Sequence, residues 1–368
     1  MTEYGNLPDQ YRVSFQGVEL MKPILDIKGF LALSGNLPVV DVRSPAEFTR
    51  GHFPGAFNIP LFNDEERSAV GTAYKQVSRK AAMMKGFEIA GPHMAEYVRK
   101  AWEVAGDRGL LMYCWRGGMR SASMAWLFRT AGIPVATLEG GYRSYRRYLK
   151  ASLQTPVPLI VIGGMTGSGK TRVLNELKKE GIQAIDLENL ACHRGSAFGA
   201  LGQPAQPATE QFENDLFQVF RTLDPARVIL VEDESKSIGS VQIPDEWFRQ
   251  MKKAPVIVLD VPRSVRIEHL VEEYAGFDPE LLKDSLTRIR KKLGGERWQR
   301  AMRALEQKDF HTVADIALQY YDKAYQYGLS RRDPDTLFTV HSNHGDPRKT
   351  ALHVIYLLKQ KEKLHLPV

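Results

Sequence analysis

One stretch leaves this chain few ways to fold. Four apolar residues, Leu159-Ile160-Val161-Ile162, run into Gly164-Met165-Thr166-Gly167-Ser168-Gly169-Lys170-Thr171, and beyond them Leu174 and Leu177 return at helical spacing. A buried strand, a glycine-rich turn and a helix start in that order make the phosphate-binding P-loop. Its backbone N–H groups cradle a diphosphate, so Gly164, Thr166, Gly167, Ser168 and Gly169 are the expected cradle. Lys170 is expected to meet the terminal phosphate oxygens, and the Thr171 hydroxyl to ligate Mg²⁺. The motif does not say which phosphate compound is held.

Downstream of this loop the chain alternates strand and helix. Segments 184–187, 227–232 and 255–260 read as strands, and 209–223 reads as an amphipathic helix. After a P-loop, that alternation predicts a doubly wound parallel sheet laid out like a nucleotide kinase. Ligands collect at strand C-termini in such sheets. Glu232, Asp233 and Glu234 are therefore pocket candidates, with Glu232 joining Thr171 at the metal. The loop 190–199 adds His193, Arg194, Ser196 and Phe198, while Cys192 has no CxxC partner and reads as a bystander.

A second strand, loop and helix stands earlier in the chain. The apolar run Leu110-Leu111-Met112-Tyr113 delivers Cys114 to the loop Trp115-Arg116-Gly117-Gly118-Met119-Arg120-Ser121, ahead of a helical pattern through Phe128. Free cysteine usually packs as a small hydrophobe. Two arginines and two glycines beside it favour a reactive thiol instead, because helix-start amides and fixed cations stabilise a thiolate or a bound oxyanion. Cys114, Arg116 and Arg120 are the catalytic candidates.

Upstream lie Asp41-Val42-Arg43, a helix start at Ser44-Pro45 with Glu47, and Gly51-His52-Phe53-Pro54-Gly55-Ala56 with Asn58. With the cysteine loop, this resembles the rhodanese family over roughly 23–150. The resemblance implies an α/β domain whose parallel sheet presents a nucleophilic cysteine that carries sulfur or selenium, with Asp41 and His52 fixing turns. In the common sulfur-transferring form the arginine follows the cysteine by five residues, whereas Arg120 follows Cys114 by six. That is the length of the phosphatase-like branch, which holds a phosphate-sized group. A phosphatase reading stays open, although no general acid for a leaving alcohol is evident.

The 368 residues are read as an N-terminal arm (1–22), a rhodanese-like domain (23–150), a linker (151–158) stiffened by Pro156 and Pro158, a P-loop domain (159–277) and a mainly helical C-terminal region (278–368). The fold class is α/β throughout, with a helical extension. A net charge of +7 suits a polyanionic partner but equally a solvated surface. The same two readings apply to the basic, tyrosine-rich stretch 142–150. They apply again to Arg297, Arg300 and Arg303, spaced along one helix face, with Lys291, Lys292, Arg331, Arg332 and Tyr320, Tyr321, Tyr325 and Tyr327. Two cysteines imply no disulfide framework, the first residues lack a signal-peptide pattern, and the apolar runs are too short to span a bilayer. A cytoplasmic, membrane-free setting is expected.

The order of the two domains, with His193-Arg194-Gly195-Ser196 and Glu232-Asp233-Glu234-Ser235, resembles the tRNA 2-selenouridine synthase family over nearly the whole chain. The resemblance implies a transferase acting on the wobble 2-thiouridine of tRNA. It would alkylate the sulfur with geranyl diphosphate and then displace geranylthiol using selenophosphate, supplied by a selenophosphate-producing enzyme. On that reading the P-loop and Mg²⁺ serve geranyl transfer, Cys114 carries selenium, Arg116 and Arg120 hold selenophosphate, and Phe198, Phe212 and Trp247 shield the geranyl chain. The competing readings are an ATP-dependent RNA sulfurtransferase or kinase, and a regulatory nucleotide-binding module on an inert rhodanese-like scaffold.

Overall fold

Segments Leu110–Tyr113 and Leu159–Gly164 are buried along their whole length. Such runs belong in the middle of a parallel sheet with helices on both faces. The structure, a computed structural model, describes residues 9–15 and 18–360, and the chain divides into two compact units between Ser152 and Leu153. Each unit is built on one five-stranded sheet.

In the first unit, a hairpin of β1 (Arg12–Phe15) and β2 (Val18–Met21) precedes the sheet strands β3 (Ile24–Leu25), β4 (Val39–Asp41), β5 (Phe57–Asn58), β6 (Leu110–Tyr113) and β7 (Val135–Leu138). They lie in the order β3-β7-β6-β4-β5, every pair parallel. The strand carrying the cysteine is central. Val40, Met112, Cys114, Met124 and Phe128 share its core. Between β5 and β6 the helices Asp64–Gln76 and Arg79–Ala90 are each capped by a side chain, Asn63 and Ser78.

The second unit contributes β8 (Leu159–Gly164), β9 (Gln183–Ile185), β10 (Ile229–Glu232), the hairpin β11 (Ser237–Ile238) and β12 (Val241–Gln242), β13 (Val256–Asp260) and β14 (Leu337–His341). The parallel sheet is ordered β14-β13-β8-β10-β9, with the P-loop strand in the centre. Its register places Glu232 opposite Ile162, beside the loop that β8 feeds.

Part of the arm, residues 1–8 and 16–17, lies outside the described residues, and the remainder includes the β1–β2 hairpin. The helix Gly141–Gln154 runs into the expected linker, with Leu153 buried, because Pro156 restricts only the residue before it. The mainly helical C-terminal region also supplies an edge strand: β14 pairs with β13 from Val256↔Leu337 to Asp260↔His341.

The Gly140-Gly141 turn forms the back of the cysteine loop. Tyr142 N donates to Cys114 O at 2.9 Å and Arg143 N to Trp115 O at 3.0 Å. Gly141 has φ +60°, and a Cβ there would press into Cys114 O and Gly117 N. Gly141→Ala is therefore expected to lower stability by at least about 2 kcal/mol, combining left-handed strain with a backbone clash. Chemical denaturation of the full chain checks it.

Candidate active sites

In the first unit the sequence Asp41-x-Arg43 closes on itself. Arg43 donates through Nε and Nη2 to both Asp41 carboxylate oxygens at 2.6–3.0 Å, and through Nη2 to Gly51 O at 2.7 Å. Its guanidinium lies 3.9 Å from the Tyr142 ring centre. His52 stacks on Phe48 with centroids 3.7 Å apart and bonds Phe48 O through Nδ1 at 2.9 Å. Both groups thus hold turns around the sheet end.

Cys114 follows β6 and is buried, immediately before the loop leading to the helix Met119–Thr130. Its Sγ lies 3.2 Å from Ser121 Oγ, which also donates to Gly118 O at 3.1 Å. A hydroxyl so placed can turn its proton toward the sulfur once the sulfur is anionic. The two arginines are unequal. Arg116 is exposed, whereas Arg120 donates to Glu47 Oε2 at 2.6 Å and Oε1 at 3.3 Å. Glu47 also completes the capping box of the helix Pro45–Arg50 and lies 3.6 Å from Arg67 Nε. The sequence shows Glu47 as a cap, and its hold on Arg120 is invisible there because the two are remote in the chain.

In the second unit the loop residues Gly164, Thr166, Lys170 and Thr171 line a cavity of about 780 Å³. Arg194, Ser196, Asp233 and Glu234 join them. Lys170 Nζ donates to Gly164 O at 3.2 Å. Ser168 turns away: its buried hydroxyl has no partner and sits under Gly164.

The three acids at the end of β10 go three ways. Glu232 accepts from Thr171 Oγ1 at 2.7 Å and from Glu188 N at 3.1 Å. Asp233 pairs with Arg332 at 3.2 Å, and Glu234 shares a hydrogen bond with Glu188, which itself accepts from Thr171 Oγ1 at 3.1 Å. Burial first, and the neighbouring carboxylates next, push Glu232 well up and Glu234 to about 8. Glu188 is raised chiefly by burial. Hard oxygen donors under this mutual repulsion fit a hard divalent cation held through Thr171 and Glu232. Among the described residues no set of three or more His, Cys, Asp or Glu is arranged to hold a metal.

Other expected residues fall elsewhere. His193 is buried inside its own loop, off the cavity, with Nδ1 unpartnered and its pKa lowered by burial and then by Arg288. Phe198 lines a smaller apolar cavity that shares Thr166, Ser196, Leu270, Tyr274 and Tyr321 with the large one. Phe212 and Trp247 line neither cavity; both are fully buried, and Trp247 and Phe220 meet edge to face with ring centres 5.3 Å apart.

The aromatic-basic stretches also divide. Tyr142 and Tyr145 are in the core, so they cannot stack on bases. Tyr325 belongs to the P-loop, taking the Gly164 amide at 2.7 Å, and Tyr321 takes the Ala197 amide at 2.9 Å. Arg297, Arg300 and Arg303 remain exposed on the helix Gly295–Glu306. Tyr325 and Glu188 are site residues that the sequence does not reveal. The only local hint is that Tyr321 and Tyr325 lie one helical turn apart in Phe310–Leu329.

Residues 157–346 match the family described as the tRNA 2-selenouridine synthase AAA domain, and residues 28–148 match the rhodanese-like domain. A tRNA 2-selenouridine synthase of Shewanella sediminis is 35% identical over 84% of this chain and 92% of its own length. That of a Sulfurovum species is 36% identical over 82% and 92%, and that of Nitrosomonas europaea 32% identical over 87% and 96%. The chain belongs to the tRNA 2-selenouridine synthase family. The family match takes in β14, which agrees with that strand completing the P-loop sheet. Among the described residues no helix is long and apolar enough to cross a membrane.

The Glu47–Arg120 pair gives a pH signature. Burial opposes ionisation of Glu47, but hydrogen bonds and charge from Arg120, then Arg67, outweigh it and hold its pKa below the ordinary range. The pair's contribution is complete above the ordinary carboxylate pKa and is lost as pH falls through the lowered folded value. In melting curves from about pH 7 to about pH 3, Glu47→Gln should lie lower at neutral pH, by up to about 1 kcal/mol, and converge on the parent in acid.

Proposed function

We propose that this chain modifies tRNA, replacing sulfur by selenium at position 2 of the wobble uridine. The observation that carries the proposal is the pairing, in one chain of this family, of an intact cysteine-arginine loop with a phosphate-binding cavity that opens beside an apolar one. The finer scheme has two stages. A thiocarbonyl sulfur is a poor leaving group, so it is first alkylated by geranyl diphosphate: the sulfur attacks the allylic carbon, the C–O bond breaks, and diphosphate leaves. Selenium from selenophosphate then displaces geranylthiol at the same ring carbon.

The P-loop supports the first stage. Its amides and Lys170 would hold the departing diphosphate, a task that grows in the transition state. A Mg²⁺ on Thr171 and Glu232 would neutralise charge on that group. Tyr325 fixes Gly164 at the loop's entrance, and the small cavity beside Phe198, about 50 Å³, offers an apolar wall to part of a hydrocarbon chain. The Cys114 loop supports the second stage, with Arg116 and Arg120 beside the anion. The +7 chain, with exposed Arg297, Arg300 and Arg303, supports attraction to tRNA.

Nucleoside mass spectrometry on 2-thiouridine tRNA, given Mg²⁺ and geranyl diphosphate and then selenophosphate, tests the scheme. A geranyl adduct that converts to selenouridine is expected. No adduct, but ATP-dependent sulfur or phosphate transfer, would move the function to the nucleotide-dependent alternative. Lys170→Ala should slow alkylation at least about a hundredfold while selenation of pre-geranylated tRNA continues, and Cys114→Ser should stop selenation.

A further inference from the structure

Resting on the reading that the large cavity of the second unit takes an allylic diphosphate, we propose that Arg194 is a further catalytic residue. Its guanidinium donates to the diphosphate at the carbon–oxygen bond that breaks, while Lys170 meets the terminal phosphoryl oxygens.

The polar and the apolar cavity meet at a seam. Thr166, Ser196, Leu270, Tyr274 and Tyr321 line both. An ester with its diphosphate among the P-loop residues and its chain among the apolar ones has to place the scissile bond at that seam. Arg194 stands there: it lines the large cavity two residues before Ser196, and its guanidinium lies 5.9 Å from the Tyr274 ring centre.

The side chain is oriented but incompletely satisfied. Glu273 pairs with Nε at 2.9 Å, whereas Nη1 is buried and has no hydrogen-bond partner. A buried N–H without an acceptor is costly, and a phosphoryl oxygen would supply the acceptor that this one lacks. The loop is fixed as well. Arg194 N donates to Gly199 O at 3.0 Å, and Ala197 N to Tyr321 Oη at 2.9 Å. A Cβ at Gly195, where φ is +65°, would come within 2.8 Å of Glu234 and 3.1 Å of Glu188, the carboxylate that Thr171 bonds. The backbone at Arg194 is thereby kept beside the Thr171 end of the P-loop. Other cations that line the cavity are engaged differently. Arg332 pairs with Asp233 and Arg172 with Glu272, and Lys252 lies 5.0 Å from the ring centre of Phe248, which lines neither cavity.

The step balances without an oxidant or reductant. The thiouridine sulfur bonds to the allylic carbon, the carbon–oxygen pair passes to the bridging phosphoryl oxygen, and the N3 proton leaves to water. The diphosphate gains negative charge as it departs, so a cation at the departing oxygen contributes more in the transition state than in the bound ester.

The full-length protein is titrated calorimetrically with inorganic diphosphate in Mg²⁺, and alkylation of 2-thiouridine tRNA by geranyl diphosphate is followed alongside. Arg194→Ala should weaken diphosphate binding about tenfold and lower kcat at least about a hundredfold, with KM for geranyl diphosphate changed by less than about threefold. Added guanidinium ion should restore kcat of that variant at least about tenfold, which a merely structural arginine would not allow. If the alanine variant melts below the parent, Arg194→Gln replaces it, read by diphosphate binding and kcat. Parent-like diphosphate affinity and kcat in a folded variant, or a loss carried wholly by KM, would overturn the inference. Failure of the parent to alkylate tRNA, with diphosphate binding still dependent on Arg194, would overturn the proposed function and leave Arg194 as a diphosphate ligand.

Discussion

Parallel pairing of strands buried on both faces is the constraint on which both units depend. In β6 and β8 every residue is buried, so neither strand offers chemistry along its length. Reactive groups emerge only where the strands end, and there the first turn of the next helix supplies backbone amides without partners. Cys114 stands directly after β6, and Gly164 closes β8. The same arrangement recurs in both units: a helix start stands close behind the end of a fully buried central strand.

At such an end, charge has to be divided rather than concentrated. Three consecutive acids after a buried strand would repel one another if they pointed together. They take different partners, Glu232 the Thr171 hydroxyl, Asp233 Arg332 and Glu234 the carboxyl of Glu188, yet Glu232, Glu234 and Glu188 stay near enough to raise one another, Glu234 to about 8. The first unit follows the same rule with two pairs, Asp41–Arg43 and Glu47–Arg120. The arginine that the sequence offers as a free anion-binding cation is therefore a positioned one.

Local pattern made much of this legible. The strand, loop and helix around Lys170 and around Cys114, the Ser44-Pro45-Glu47 helix start, and the alternation after residue 180 all depend on neighbours within a few residues. What pattern did not show is partnership across distance. β14 falls within the stretch read as mainly helical, and its pairing with the remote β13 is not visible there. Tyrosines at 142, 145 and 325 read as an aromatic surface, yet two are core and the third holds a P-loop amide, because a tyrosine's burial is set by the element it lands on. Phe212 and Trp247 are core residues that line neither cavity, for the same reason: apolar character is common to cores and to pockets.

The contact between Gly141 and the cysteine loop has a mechanical meaning. The rear of the loop is main chain against main chain, tied by Tyr142 N and Arg143 N, with no side chain that could rotate aside. The loop thus has a rigid floor and an adjustable rim, where Arg116 is exposed. A group bound at the sulfur would find main chain on the Gly141 side, whereas the Arg116 side is open to solvent.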